Sequence, residues 1–151
     1  HAAFGHYFIT ASADEIAKLD AGQFVGWTST GRTFKAYQNE GAGTVRVCRF
    51  FTEAFAPKSS HFYAPRGTGC EPVFDNKDWQ YEGEVFHVVA SSAAGTCPAG
   101  TQPIYRLYNR GQTGAPNHRY TNDPAVRNQM LAQNFQPEGN GVEGVGFCAP
   151  L

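Results

Sequence analysis

One set of motifs occurs three times along this chain, and this repetition constrains the fold more than any other feature. Each copy has a histidine followed by aromatic residues, at His6, His61 and His118, so that successive copies start 55 and 57 residues apart. A run of aromatic residues around an arginine precedes two of these histidines, with Arg49 and Arg106 each 12 residues upstream. Three elements of similar type in one order predict three copies of a single folding unit.

A third element follows each histidine. Trp27 aligns with Trp79, and Phe135 takes the same place in the third copy. A Glu-Gly pair follows at Glu82, and we align it with the pair that begins at Glu143, after a glycine-rich insertion. We therefore divide the chain, as a single domain, into unit one (about 1–40), unit two (about 41–94) and unit three (about 95–151).

Each unit predicts a β-hairpin, a short helix and a final strand. The arginine and histidine runs alternate residues that favour strands, so we expect them to pair. In unit one, Ser12 and Glu15 form a capping box, Ile16 and Leu19 give one apolar stripe, and Gly22 ends the helix. In unit three, Asp123 caps a helix and Pro124 opens it, before Met130 and Leu131 on the inner face. Unit two has only a turn here, and unit one lacks its arginine strand, which a truncated N-terminal strand would explain.

The composition agrees with short strands and many turns, since 14% of residues are aromatic and the chain has 17 Gly and 9 Pro. We predict a mainly β fold with short helices, closed around a pseudo-threefold axis and β-trefoil-like; the alternative is a three-bladed, propeller-like ring. The net charge of −1 and the absence of Lys/Arg runs argue against nucleic acid or an anionic membrane as partner. No apolar run reaches the roughly 18 residues of a membrane span. The chain begins without a basic and apolar leader, as expected of a mature or trimmed chain.

The four cysteines lack the paired spacing of a zinc site. Four cysteines allow three pairings, and the alignment of the units favours Cys48–Cys70, within unit two, and Cys97–Cys148, at the two ends of unit three. Two disulfides would indicate an oxidising compartment, whereas four reduced thiols in a cytosolic domain are the alternative.

The motifs resemble a repeat family found near the C-terminus of many secreted bacterial proteins, with units that read approximately Tyr-Arg-Phe-Tyr, His-Phe-Tyr-Thr and Trp-x-x-Glu-Gly. The matching stretches are residues 105–108, 61–63, 118–121 and 79–86. The resemblance implies an extracellular accessory module attached to hydrolases or surface proteins, and it implies no particular chemistry. The chain departs from the pattern at Arg119, where an aromatic residue is expected, and at Phe135.

The repeated histidines and rings suggest carbohydrate binding. On a strand, residues two apart share a face, so each histidine and the ring two positions later would form a platform for a sugar, as in His61 and Tyr63. The opposite face, with Tyr7, Phe62 and Arg119, varies as a solvent-facing position does. The ligand-binding candidates are His6, Tyr7, Trp27, His61, Tyr63, Trp79, Glu82, Arg106, His118 and Tyr120. The alternative is structural: interior histidines, tryptophans in the core, and internal Arg–Glu pairs.

The expected function is a non-catalytic extracellular binding module with no cofactor, whose partner is a glycan or cell-surface polysaccharide and which is joined to a catalytic domain. A structural or protein-interaction domain is the alternative. Catalytic motifs are absent, and a repeated unit supplies like roles at several places, whereas catalysis needs different roles at one. Two metal hypotheses stay open: a site of three histidines on the axis, or copper at His1.

Overall fold

A computed structural model describes all 151 residues, and it is mainly β with two short α-helices. The elements in chain order are α1 (Ala13–Asp20), β1 (Thr44–Thr52), β2 (Ser60–Pro65), β3 (Gln80–Val89), β4 (Thr101–Tyr108), β5 (His118–Thr121), α2 (Pro124–Ala132), β6 (Gln136–Pro137) and β7 (Val145–Pro150). Short 3₁₀ turns cover Glu71–Val73 and Gln112–Gly114. Neither α-helix is long and apolar enough to cross a membrane.

All seven strands belong to one open antiparallel sheet with the order β2-β1-β3-β7-β4-β5, and β6 pairs with β4. Units two and three each contribute a hairpin followed by a helical turn or helix and a strand that returns to the first strand of the unit. The hairpins share their register, because Arg49 pairs with Tyr63 in unit two and Arg106 pairs with Tyr120 in unit three. The closed trefoil-like or ring-like arrangement stays a prediction.

The returning strand is continuous in unit two and divided in unit three. There β6 and β7 both pair with β4, and the insertion between them, residues 138–144, folds tightly against the sheet. Gly144 has a φ of +72°, and a Cβ at this position would lie 2.7 Å from the backbone nitrogen of Glu138. Glycine therefore permits the turn that holds Glu138 next to β4.

Unit one contains no strand, which corrects the expected strands at His6 and Trp27. Its link to the sheet ladder is an isolated bridge between Tyr37 and His87. An isolated strand exposes unpaired backbone groups, and no strand of the sheet lies beside the His6 or Trp27 segment to pair with it. The segment instead lies against units two and three through side-chain contacts.

The two helices agree with the sequence to different degrees. In α2, Asp123 caps the helix and Pro124 opens it, while Val126 and Met130 are buried. In α1, the Ser12 hydroxyl accepts a hydrogen bond from the Glu15 amide, and the helix ends before Gly22 as predicted. However, α1 buries no residue and Ile16 is 42% exposed, so its expected apolar stripe does not enter the core. The Glu15 side chain binds Arg49 and Thr10 rather than completing a capping box.

The main core lies where units two and three meet. Its buried members come from both units and are Val47, Tyr63, Phe86, Val88, Ile104, Tyr120, Phe147 and Ala149. From unit one, Phe8, Ile9 and Phe34 pack against its edge and are partly buried. Both disulfides have the predicted pairing: Cys48–Cys70 joins β1 to the turn before β3, and Cys97–Cys148 joins the start of unit three to β7.

Candidate functional site

The three histidine segments and the residues next to them contact one another in pairs. Unit one meets unit two where His6 Nδ1 donates a hydrogen bond to the Ser59 carbonyl at 2.7 Å. Unit one meets unit three where the Asn117 side-chain amide donates to the Gly5 carbonyl at 2.8 Å. Units two and three meet where the Tyr120 hydroxyl donates to the Tyr63 carbonyl at 2.8 Å and accepts from the Tyr63 amide at 2.9 Å. These polar contacts satisfy backbone groups that no strand partner reaches.

Units two and three each hold an arginine, a histidine and a glutamate in one group. In unit two, the Glu82 carboxylate lies 2.9 Å from Arg49 Nε and 3.5 Å from His61 Nε2. Arg49 also donates two hydrogen bonds, each of 2.8 Å, to Glu15 of unit one. The carboxylates of Glu15 and Glu82 therefore both neutralise the partly buried guanidinium of Arg49, which would otherwise be costly to remove from water.

The corresponding group in unit three uses Glu138. Its carboxylate lies 3.0 Å from Arg106 Nε and 3.2 Å from His118 Nε2. This corrects the alignment of Glu143 with Glu82, since the Glu143 side chain is exposed at the outer end of the insertion. The sequence contains the correct match, because Phe135 precedes Glu138-Gly139 by the same spacing that separates Trp79 from Glu82-Gly83.

A pocket of about 600 Å³ opens between units two and three, directly above this second group. Three aromatic side chains surround the imidazole of His118: Tyr108 stacks on it with ring centres 4.8 Å apart, Phe62 meets it edge-on at 5.0 Å, and Trp79 lies at 6.4 Å. The pocket is lined by fourteen residues: Phe55, Phe62, Pro72, Val73, Asn76, Asp78, Trp79, Tyr108, Gly111, Gly114, Ala115, Pro116, His118 and Glu138. The pocket thus offers apolar ring surfaces beside carboxylate, amide and imidazole groups.

The local fold explains why Trp79 and Phe62 are presented to the pocket. Both rings pack, partly buried, on the cluster formed by the Cys48–Cys70 disulfide and Phe50. Their ring centres lie 6.1 Å apart in an edge-to-face arrangement, which is the favoured geometry for aromatic pairs. On the other side, the Arg106 guanidinium lies 4.9 Å from the centre of the Phe62 ring. Phe62 is therefore fixed between unit two and the charged group of unit three.

Burial shapes the electrostatics of the pocket floor. It is the largest influence on the pKa of His118, which is only 6% exposed, and it lowers that pKa despite the nearby Glu138 carboxylate. The imidazole is therefore neutral near pH 7, and its Nε2–H is placed to donate to Glu138. Burial alone would raise the pKa of Glu138, but the hydrogen bond from His118 and the charge of Arg106 outweigh it and the pKa is lowered. The floor of the pocket thus carries the Glu138 carboxylate, whose negative charge is balanced by Arg106.

A larger cleft of about 1160 Å³, the unit-one cleft, is lined mainly by residues of unit one. Its walls include α1, the segment from Trp27 to Gln38, and parts of units two and three. His6, Tyr7 and Trp27 line this cleft, together with Arg119, whose guanidinium lies 4.0 Å from the centre of the Tyr7 ring.

The predicted ligand-binding residues therefore divide into four places. Trp79 and His118 line the pocket between units two and three, while His6, Tyr7 and Trp27 line the unit-one cleft. His61, Glu82 and Arg106 belong to the two charged groups. Tyr63 and Tyr120 are 1% and 6% exposed and lie in the core, so neither offers a ring face to a ligand.

Four residues of interest were absent from the predicted site: Phe62, Tyr108, Arg119 and Glu138. Phe62 and Arg119 were expected to face solvent, but each is covered by a neighbouring unit. Tyr108 is the cross-strand partner of His118, and the hairpin register alone would have indicated this. No group of three or more His, Cys, Asp or Glu side chains is placed to hold a metal ion, so the three-histidine centre does not form.

Comparisons with known proteins place the chain in a family. No curated protein and no solved structure gave a match. One family model, described as a domain of unknown function (DUF5648), matches residues 1–145. Because the match extends over almost the whole chain, from unit one to the start of β7, the chain belongs to the DUF5648 family.

Proposed function

We propose that this domain is a non-catalytic carbohydrate-binding module and that the pocket between units two and three, the aromatic pocket, holds a neutral sugar. The observation that carries the proposal is the arrangement of Phe62, Trp79 and Tyr108 around His118. Ring faces pack against the C–H groups of a sugar, and nearby polar groups hydrogen-bond its hydroxyls. Asn76 and Asp78 on the rim add such groups.

The electrostatics support binding rather than catalysis. A general acid of a glycosidase needs a carboxyl whose pKa is raised. The Glu138 pKa is lowered instead, and its carboxylate lies within ion-pair distance of Arg106 and His118. Such a carboxylate is ionised near neutral pH, so it can accept hydrogen bonds but has no proton to donate to a leaving group.

A location outside the cytosol is part of the same proposal. Two disulfides, Cys48–Cys70 and Cys97–Cys148, support folding in an oxidising compartment. Attachment to a secreted enzyme or surface protein would then bring a catalytic domain to the glycan.

We further propose that the three units are related by a pseudo-threefold axis. The pairwise contacts of the histidine segments support this, and superposition of residues 6–10, 61–65 and 118–122 in a crystal structure tests it.

Binding of a partner protein is the second candidate, and one surface feature favours it. Phe74 and Tyr81 are 42% and 38% exposed and lie edge to face, with ring centres 4.9 Å apart. Arg66 covers part of this pair, with its guanidinium 4.9 Å from the Phe74 ring. Exposed aromatic residues with an arginine are typical of interface centres.

Screening on a glycan array, followed by titration calorimetry with the neutral glycans that bind, tests the proposal. We expect Trp79→Ala to weaken binding roughly tenfold or more, which corresponds to about 1.4 kcal/mol. Phe24→Ala is the control, because it removes an exposed aromatic side chain that lines neither the aromatic pocket nor the unit-one cleft. Far-UV circular dichroism confirms that each variant is folded.

Two results would reject the proposed pocket. One is that no neutral glycan binds, and the other is that folded Trp79→Ala binds as well as the wild type. If a Phe74→Ser variant instead loses a partner protein that the wild type binds directly, the second candidate is favoured.

A further inference from the structure

Arg119 is a buried cation without an ion-pair or hydrogen-bond partner in the protein. It extends from β5 on the face opposite His118, is 8% exposed, and lies over the Tyr7 ring. Its Nε is buried without a hydrogen-bond partner, and no carboxylate forms an ion pair with its guanidinium. A charged group removed from water is costly unless it is paired and hydrogen-bonded. A ring contact alone leaves the N–H groups of this arginine unsatisfied.

The other charges of the unit-one cleft leave this positive charge uncompensated. Glu15 and Asp20 line the cleft, but neither carboxylate lies within ion-pair distance of Arg119, and both oxygens of Glu15 accept hydrogen bonds from Arg49. Arg32 also lines the cleft and is paired with Asp123, the cap of α2. Burial lowers the pKa of Arg119, and the positive charge of Arg32 adds to this effect. The cleft wall at Arg119 therefore attracts an anionic group.

The chemistry of the wall selects among anions. A guanidinium presents parallel N–H groups in one plane, which match the two oxygens of a carboxylate. Because a single unpaired arginine supplies one positive charge, it matches a monoanion better than a phosphate dianion. A bound carboxylate would also supply the counter-charge that the buried guanidinium of Arg119 lacks.

The rest of the cleft suits a sugar ring. Tyr7, Phe8 and Trp27 provide aromatic surface, with Phe8 and Trp27 edge to face at 5.9 Å between ring centres. Hydroxyl groups follow along the wall at Thr28, Ser29, Thr30 and Thr33. The volume of about 1160 Å³ is ample for more than one sugar residue.

We propose that the unit-one cleft is a second binding site, selective for a carboxylate-bearing sugar such as a uronic acid residue, whose carboxylate pairs with Arg119. This site shares no lining residue with the aromatic pocket. The two proposals therefore stand or fall separately.

Calorimetry and ¹H–¹⁵N NMR with methyl glucuronide and methyl glucoside test the proposal, since these sugars differ only in a carboxylate against a hydroxymethyl group. We expect the glucuronide to bind wild-type protein at least tenfold more tightly. We expect Arg119→Gln to remove this preference, Arg119→Lys to keep part of it, and added salt to reduce it. Binding of neutral glycans in the aromatic pocket should be unchanged in all three proteins.

One measurement avoids the risk that a variant at this buried position fails to fold. In wild-type protein, the Arg119 Nε–Hε resonance should shift with glucuronide and stay in place with glucoside. Equal affinity for the two sugars, or an Arg119 resonance that ignores the glucuronide, would overturn the proposal. Acetate that binds as tightly as the glucuronide would overturn its sugar component.

Discussion

Unit one and the pair formed by units two and three are held in place by different means. Units two and three consist of antiparallel strands joined by backbone ladders, and each has a disulfide. Unit one has a single helix without buried residues and contributes no strand. Apart from the backbone bridge between Tyr37 and His87, its attachment depends on side chains: His6 with Ser59, Glu15 with Arg49, and Tyr7 with Arg119.

The difference teaches that a histidine-aromatic segment can hold a defined place in the fold without secondary structure of its own. The His6 segment occupies a place beside the other two histidine segments although no ladder holds it there. The segment can do so because neighbouring units supply the hydrogen-bond partners that a strand would supply. We therefore expect global stability to reside in units two and three, and local opening to begin in unit one.

Removal of the disulfides should give the largest losses. In the chain-entropy model, the Cys97–Cys148 bridge, with a separation of 51 residues, contributes about 4 kcal/mol, and Cys48–Cys70, with a separation of 22, about 3 kcal/mol. Urea unfolding of the two double Cys→Ala variants measures both contributions. A smaller loss for Cys97–Cys148 than for Cys48–Cys70 would contradict the assignment of the longer bridge to global stability.

Arg49→Met should next separate unit one from the rest. It leaves the Glu15 and Glu82 carboxylates, which are 24% and 25% exposed, without their common cation, and we expect a loss of about 3 kcal/mol. Hydrogen exchange should also accelerate in α1 more than in β4, because Glu15 is released.

Arg46→Met is the matched control, since Arg46 lies on the same strand but pairs with Glu40 and Glu84 at the exposed surface. Only a small change in unfolding free energy is expected there, because exposed ion pairs contribute little. Equal losses in the two variants would mean that Arg49 does not act through the buried pairing.

Tyr120→Phe and Tyr63→Phe compare the hydrogen bonds between units two and three with the hydrogen bond between units one and two. The Tyr120 hydroxyl binds both the amide and the carbonyl of Tyr63, and its loss leaves the buried amide unpaired and the carbonyl with only a long contact of 3.4 Å from Arg106 Nη1, at an expected cost of about 2 kcal/mol. The Tyr63 hydroxyl donates only to the Ile9 carbonyl, so about 1 kcal/mol is expected. Thermal or urea unfolding that ranks the variants in the reverse order would show that unit one is attached more firmly than its contacts indicate.

Local sequence patterns predicted those features that depend on local chemistry. The cap at Asp123 and Pro124 predicted the start of α2, and alternation predicted the hairpins of units two and three. The alignment of units predicted both cysteine pairings. Alternation also showed which residues share a strand face. It gave no information on which face a neighbouring unit covers, and for this reason Phe62 and Arg119 were expected in solvent.

The candidate site was harder to predict because it is assembled between units. Glu138 was missed, since an insertion divides the returning strand and a second Glu-Gly pair at Glu143 follows it. Tyr63 and Tyr120 were assigned to a ligand surface although their hydroxyls reach backbone groups of other units. Such contacts depend on tertiary packing, which spacing within one unit does not report.

The smallest predicted effect concerns acid, and it compares a histidine of unit one with one of unit three. Burial is the largest influence on the pKa of both His6 and His118, and both values are lowered in the folded chain. The unfolded chain, with histidine pKa values of about 6.5, then binds these protons more readily than the folded chain. The contribution of these two histidines to the free energy of unfolding is therefore complete above about pH 6.5 and is lost as the pH falls through the folded pKa values.

Unfolding free energies at pH 7 and pH 5 measure this effect, and the comparison with His→Gln variants separates it from the glutamates, which begin to protonate in the unfolded chain near pH 5. We expect the wild type to be less stable at pH 5, and His6→Gln and His118→Gln each to lose part of this dependence. If only His118→Gln flattens the dependence, then unit one opens before His6 becomes protonated. A wild-type stability that rises between pH 7 and pH 5 would instead require both imidazoles to be charged in the folded chain, and the neutral donor assigned to His118 would be wrong.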